Sequence, residues 1–144
     1  MKWITRSHVH VDRVACPWLI TRFIDSEAQF LFAPRSKILE VAKKEGAIAF
    51  DTKGATYDHD GDLCTFSVLV REFGLTDKAL LRLAKIVNAA DTGRLDDDPI
   101  ARGLEALAVG YALRHPEDKA NLACQFEMYD SLYAWCALEV AGGP

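Results

Sequence analysis

The sequence predicts an α+β fold, mostly helical, with a small sheet built from the N-terminal half. Two observations carry this. The short, β-branched, loosely alternating segments that read as strands all lie within the first fifty residues. From Phe66 onward, apolar residues recur at helical spacing between Gly and Pro breaks.

Residues 3–11 alternate loosely and read as the first strand. Pro17 opens a helix to about Asp25, since proline suits a first helical turn whose N–H would be unpaired anyway. Leu19, Ile20, Phe23 and Ile24 form its apolar face. Residues 28–33 read as a second strand, 36–45 as a helix ended by Gly46, and 47–50 as a short strand. A loop over 51–61 follows, then a helix over 66–73 stopped by Gly74. Thr76 is the expected N-cap of a helix to about Ala90. Asp98-Pro99 would open the next, to about Leu113, and His115-Pro116 the last. That last helix carries Leu122, Phe126, Tyr129, Tyr133 and Cys136 on one face. From Leu132 it is apolar nearly all round, which predicts a central position.

A chain of 144 residues is most simply one domain, residues 1–144, and half of them are hydrophobic, which excludes a disordered chain. A net charge of −4 with no Lys/Arg run argues against a nucleic-acid surface. The four cysteines, Cys16, Cys64, Cys124 and Cys136, form no C-x-x-C pair. No signal peptide and no membrane-spanning run is visible, so a cytoplasmic protein with free thiols is expected. Phosphate-loop, dinucleotide and α/β-hydrolase signatures are absent.

The polar residues concentrate in two stretches. One runs Thr56-Tyr57-Asp58-His59-Asp60-Gly61-Asp62-Leu63-Cys64, the other His8-Val9-His10-Val11-Asp12-Arg13 and then Cys16. His10 and Asp12 lie two apart on the expected strand, so they would share a face, with His8 a further candidate. Asp91 follows Val87 by four residues and extends the stripe of Leu80, Ala84 and Val87. A carboxylate aimed at a core must be paired, protonated or bound to a cation; a polar turn at Asp91-Thr92-Gly93 is the equal alternative. Together His10, Asp12, His59 and Asp91 suit a divalent transition metal: iron, manganese or zinc. Asp58, Asp60 and Asp62 do not make a calcium loop, because Gly61 stands at position four and Leu69 at position twelve; turn formers are the expected role. His115 is expected to be a solvated cap.

Cys16 precedes Pro17 with Arg13 nearby, and helix N-termini and cations lower thiol pKa values, so Cys16 is the candidate reactive thiol. A small buried hydrophobe is the equal alternative for Cys16 and Cys64, and the favoured one for Cys124 and Cys136. Arg13, Arg22 and that helix N-terminus would bind an oxyanion.

The run from His10 through Asp12-Arg13, Cys16-Pro17-Trp18 and Arg22 to Asp25 resembles the signature of the C-terminal domain of the chromate-resistance ChrB family. Phe50-Asp51, Gly54-Ala55, His59, Gly61, Cys64-Thr65-Phe66, Ile86-Val87, Ala90-Asp91 and Asp130 with Tyr133-Ala134-Trp135-Cys136 fit the same resemblance. It implies a chromate-responsive protein or regulator, and adds Asp130 as an outer metal candidate. Longer members carry an N-terminal region that this chain lacks, which argues against direct DNA binding by this chain alone. The leading expectation is a metal- or oxyanion-binding domain, with metal-assisted catalysis open to it. The alternatives are a thiol-dependent chromate reductase using Cys16 and a regulatory protein-interaction module. The expected partner is a small anion or small molecule, with no membrane and with a homo-oligomer left open.

Overall fold

Three short strands, β1 (Lys2–Arg6), β2 (Gln29–Ala33) and β3 (Ile48–Ala49), form a parallel sheet in the order β2–β1–β3 in the computed structural model, which describes residues 1–143. Lys2 through Arg6 pair with Gln29 through Ala33, and Trp3-Ile4 with Ile48-Ala49. Parallel neighbours need crossover connections. The first is α1 (Val11–Leu19), continued by a wider π-helical turn over Ile20–Ile24. The second is α2 (Ile38–Glu45), whose C-terminus is closed by Gly46 in the left-handed conformation (φ 64°).

Strand alternation divides the core between the two faces of the sheet. Ile4 packs with Ala33, Ile38 and Ala49 beneath α2. Trp3 faces the larger core, where α1 meets the remaining helices: α3 (Thr65–Glu72), α4 (Lys78–Asp91), α5 (Ala101–Arg114) and α6 (Asp118–Val140). Among these, α4 packs against α1, α3, α5 and α6 and buries Leu80, Leu83, Ile86 and Val87 completely. Each such side chain contributes roughly 1.5–3 kcal/mol. The α+β class with a small N-terminal sheet is therefore as the sequence predicts.

Several boundaries differ from the expected ones. The first strand stops at Arg6, and α1 begins at Val11, six residues before Pro17. His8 takes a left-handed backbone (φ 63°), which breaks the strand, and Asp118 accepts hydrogen bonds from the His8 and Val9 N–H groups (3.1 and 2.9 Å). His10 and Asp12 are thus an N-cap and a first-turn residue, not strand neighbours. Pro17 sits inside the helix, where it leaves one carbonyl without its usual partner. Asp77 caps α4 in place of Thr76, accepting from the Leu80 N–H (2.9 Å). Asp98 makes a turn that accepts from the Ile100 N–H, so α5 starts at Ala101. The C-terminal part of α6 is not central: Trp135, Leu138 and Val140 are exposed, and α4 holds the middle. Apolar residues all round a helix do not distinguish a core from a surface patch.

In open parallel sheets, ligand sites form beyond the carboxyl ends of the strands. Here β1 and β3 are neighbours, and the segments leaving them carry His8, His10, Asp51 and His59.

Candidate metal centre

Asp51 follows β3 by two residues and adopts a left-handed backbone (φ 53°), a conformation uncommon outside glycine. Its N–H donates to the Tyr57 carbonyl at 2.8 Å, which folds the following loop back on the strand. Such an outlier at the end of a strand marks a place where geometry takes precedence over local ease. The Asp51 side chain is buried, with Oδ1 accepting from Thr65 Oγ1 (2.8 Å) and Oδ2 lying 3.5 Å from Arg13.

Asp12 is the second residue of α1 and is 1% exposed. It accepts from the Thr65 N–H (2.7 Å) and the Phe66 N–H (3.1 Å), the first two residues of α3, and from the Cys16 thiol at 3.5 Å. One carboxylate therefore lies at two helix N-termini, where orphan N–H groups and the helix dipole favour an anion. Asp91 is the last residue of α4, and its Oδ1 accepts from the Asp12 N–H at 3.3 Å. Asn88, one turn earlier on the same face, accepts from the Cys64 N–H (2.7 Å) and so fixes the entry to α3.

His59 closes the group. Its Nε2 lies 3.2 Å from Asp51 Oδ1, 3.2 Å from Asp91 Oδ2 and 3.6 Å from Asp12 Oδ2. Ligand atoms of Asp12, His59 and Asp91 all fall within 4.8 Å of one another. The imidazole is 41% exposed and opens to a cavity of about 410 Å³ lined by Tyr57, Asp58, Asp60, Arg71 and Glu72 among others. The other three side chains are 1%, 4% and 15% exposed, so the cluster is closed behind and open at the histidine.

The charges in this space are out of balance. Hydrogen bonding to Asp51, together with the three carboxylates, raises the His59 pKa from 6.5 to about 9. Burial and then Asp51 and Asp91 push Asp12 well above the usual carboxylate range; burial and Asp51 raise Asp91 as well. Burial, followed by the neighbouring Arg6, lowers the Arg13 guanidinium.

The structure thus brings together Asp12, His59 and Asp91 of the expected ligand set, and sets Asp51 against the same imidazole. It does not bring His10 or Asp130 to them. His10 lines a separate cavity of about 330 Å³ with His8, His115, Asp118 and Asn121. His115 is the C-cap residue of α5 and is partly exposed, but its Nε2 is buried with no partner among the described residues. Asp130 accepts from Arg22 Nε and Nη2 (both 3.0 Å) and from the Trp18 indole (2.8 Å), so Arg22 is already engaged by a carboxylate. Cys16 lies in the middle of α1 instead of at its start. It is fully buried, and burial together with Asp12 pushes its pKa well up, the reverse of what a reactive thiolate needs. Asp60 and Asp62 pair with Arg71 (2.8 Å) and Arg94 (2.7 Å) at the surface.

Asp51 and Asn88 were missed by periodicity. Asp51 sits outside any periodic element, and its signal is an aspartate immediately after a short strand. Asn88 stands three residues before Asp91 on one helix, a spacing visible in the sequence.

The chain belongs to the family described as ChrB, C-terminal domain, whose profile matches residues 3–136. It is 43% identical over 137 residues to Protein ChrB of Cupriavidus metallidurans, covering 92% of this chain and 40% of that protein. The chain thus spans less than half the length of the curated relative that it matches. No solved structure matches it.

Proposed function

We propose that this ChrB-family domain holds a divalent transition metal at Asp12, Asp51, His59 and Asp91. The observation that carries the reading is the convergence of three carboxylates on one imidazole nitrogen. Ligands about 2.0–2.2 Å from a common cation stand roughly 3 Å apart by simple geometry, the scale of the distances from His59 to the three carboxylates. Three negative charges face one imidazole and one guanidinium. Exchanging the imidazolium proton for a divalent cation brings the group to neutrality, whereas buried carboxylates left together repel and protonate instead.

One imidazole with three carboxylates favours manganese or iron over the sulfur-rich sites of structural zinc. The residues that would hold the ion are closed in behind, and the exposed side of His59 would leave it reachable from the cavity. A metal there supplies Lewis-acid polarisation of a bound oxygen. The protein's part is orientation: α3 N–H groups fix Asp12, Thr65 and Arg13 fix Asp51, and the Asp12 N–H fixes Asp91. The family's association with chromate operons sets the setting in which such a domain would work. Cys16 as a chromate-reducing nucleophile draws no support from its buried, protonated surroundings.

The test is a metal titration of chelator-treated protein with manganese, ferrous iron and zinc. Stoichiometric uptake is expected, reduced at least about tenfold by His59→Ala and by Asp51→Asn. Absence of uptake with all three metals, or uptake indifferent to both substitutions, would end the proposal.

A further inference from the structure

The carboxyl ends of all three parallel strands meet a set of cations that the metal centre does not use. Arg6 ends β1, the central strand. Arg35 comes two residues after β2, and Lys53 four after β3. Arg35 and Lys53 line a cavity of about 600 Å³ with Ser36, Ile38, Leu39 and Thr52, and Thr52 is the residue next to Asp51. Arg6 alternates onto the same face of β1 as Ile4, which packs on Ile38 of that cavity.

Two guanidinium groups here are incompletely satisfied. The Nε atoms of Arg6 and Arg13 are both buried without an acceptor. Arg13 donates one outer nitrogen to the His8 carbonyl (3.1 Å), and the other stands at a loose 3.5 Å from Asp51. Arg6 is half-buried and has no ion pair among the described residues. The two are close enough that Arg6 is the leading charge acting on Arg13. Leaving a buried donor unpaired costs roughly 1–3 kcal/mol, more for a charged group, and placing two cations together adds repulsion. In folded proteins such an arrangement calls for an acceptor from outside the chain.

We infer that Arg6 and Arg13 form the binding site for a small anion bearing at least two acceptor oxygens, with Arg35 and Lys53 drawing it in. This deepens the metal reading, on which it rests only for the ligand's role: the anion would be what the centre acts upon. With a divalent ion the carboxylate cluster is neutral, which leaves Arg6 as the uncompensated positive charge. The guanidinium fork suits a carboxylate or a tetrahedral oxyanion, both of which present paired oxygens. Arg22, bound bidentately by Asp130, takes no part.

The experiment is calorimetric titration of the full chain, metal-free and metal-loaded, with inorganic sulfate and separately with acetate at fixed chloride ionic strength. Sulfate or acetate should bind the native chain. Arg6→Gln should weaken that binding at least about tenfold while metal uptake is unchanged, and Arg22→Gln should leave it as it was. Arg6→Lys, which keeps the charge but not the fork, should fall between, and it carries the test if Arg6→Gln does not fold. Preference for acetate names carboxylates as the ligand class; preference for sulfate names tetrahedral oxyanions. Failure of both anions to bind, or native affinity in the Arg6 variants, would overturn the inference. Anion affinity lost in Arg6→Gln from a chain that takes up no metal would refute the metal reading alone.

Discussion

Two buried acidic regions of this molecule are built on opposite terms. Asp98, 1% exposed, meets one cation, accepting from Arg82 Nη1 at 2.7 Å on one oxygen and from the Ile100 N–H on the other. Arg82 in turn reaches Glu139 and lies over the Trp135 ring, 5.5 Å from its centroid. The buried part of that network balances, one carboxylate against one guanidinium, because the Glu139 carboxylate is exposed to solvent. At the far end of α4, Asp12, Asp51 and Asp91 share one imidazole and one guanidinium. A structural network closes on itself, whereas a binding site leaves charge for something else to neutralise. The difference supports a structural role for the first region and the proposed binding role for the second.

The largest effect should come from the closed network. Arg82→Ala strands the Asp98 carboxylate and should cost about 3–5 kcal/mol by urea denaturation, with metal uptake by the surviving folded protein unaltered. The open cluster should respond in reverse. Asp51→Asn removes one of the mutually repelling carboxylates but also weakens the contacts of His59, Thr65 and Arg13, so metal-free stability should change by no more than about 1 kcal/mol in either direction. Added metal should stabilise the native chain by about 2.7 kcal/mol at a hundredfold excess over Kd and should stabilise Asp51→Asn far less.

The pH dependence sharpens the contrast. The folded His59 pKa, about 9, lies above its unfolded value of 6.5. Its contribution to metal-free stability is therefore complete below about 6.5 and lost as pH rises through about 9. Asp12 and Asp91 are raised above 3.8, so the folded state again holds more protons and the sign is the same. Metal must displace these protons, so apparent metal affinity should climb across the same range. Thermal melts and metal titrations at pH 6, 7.5 and 9 check both directions; affinity that falls with pH would contradict the arrangement. A small effect, confined to stability, is expected at Asp130→Ala, which loses the partly exposed Arg22 pair and the Trp18 contact. Roughly 1 kcal/mol of stability should go, with metal content unchanged.

The sequence made the helical excess and the N-terminal sheet readable because strand-length β-branched segments end where Gly- and Pro-bounded helical periods begin. Asp12, His59 and Asp91 were legible as polar residues in apolar surroundings. Their convergence was not, since it depends on Asp12 facing the start of α3, a tertiary contact across 53 residues. His10 was misplaced because the left-handed turn at His8 ends the strand early, and a non-glycine residue gives no warning of that conformation. Asp51 depends on the same kind of unannounced turn. Of the two readings open for Cys16, the reactive one depends on a helix start at Pro17; with α1 beginning at Val11 the thiol lies mid-helix and buried, as the other reading has it.

Anomalous diffraction from crystals soaked in manganese tests the central claim most directly. A single strong peak bounded by His59 Nε2 and the carboxylates of Asp12, Asp51 and Asp91 is the predicted result. A fully ordered cluster with no peak, or a peak only at the cavity lined by His8, His10 and His115, would contradict it.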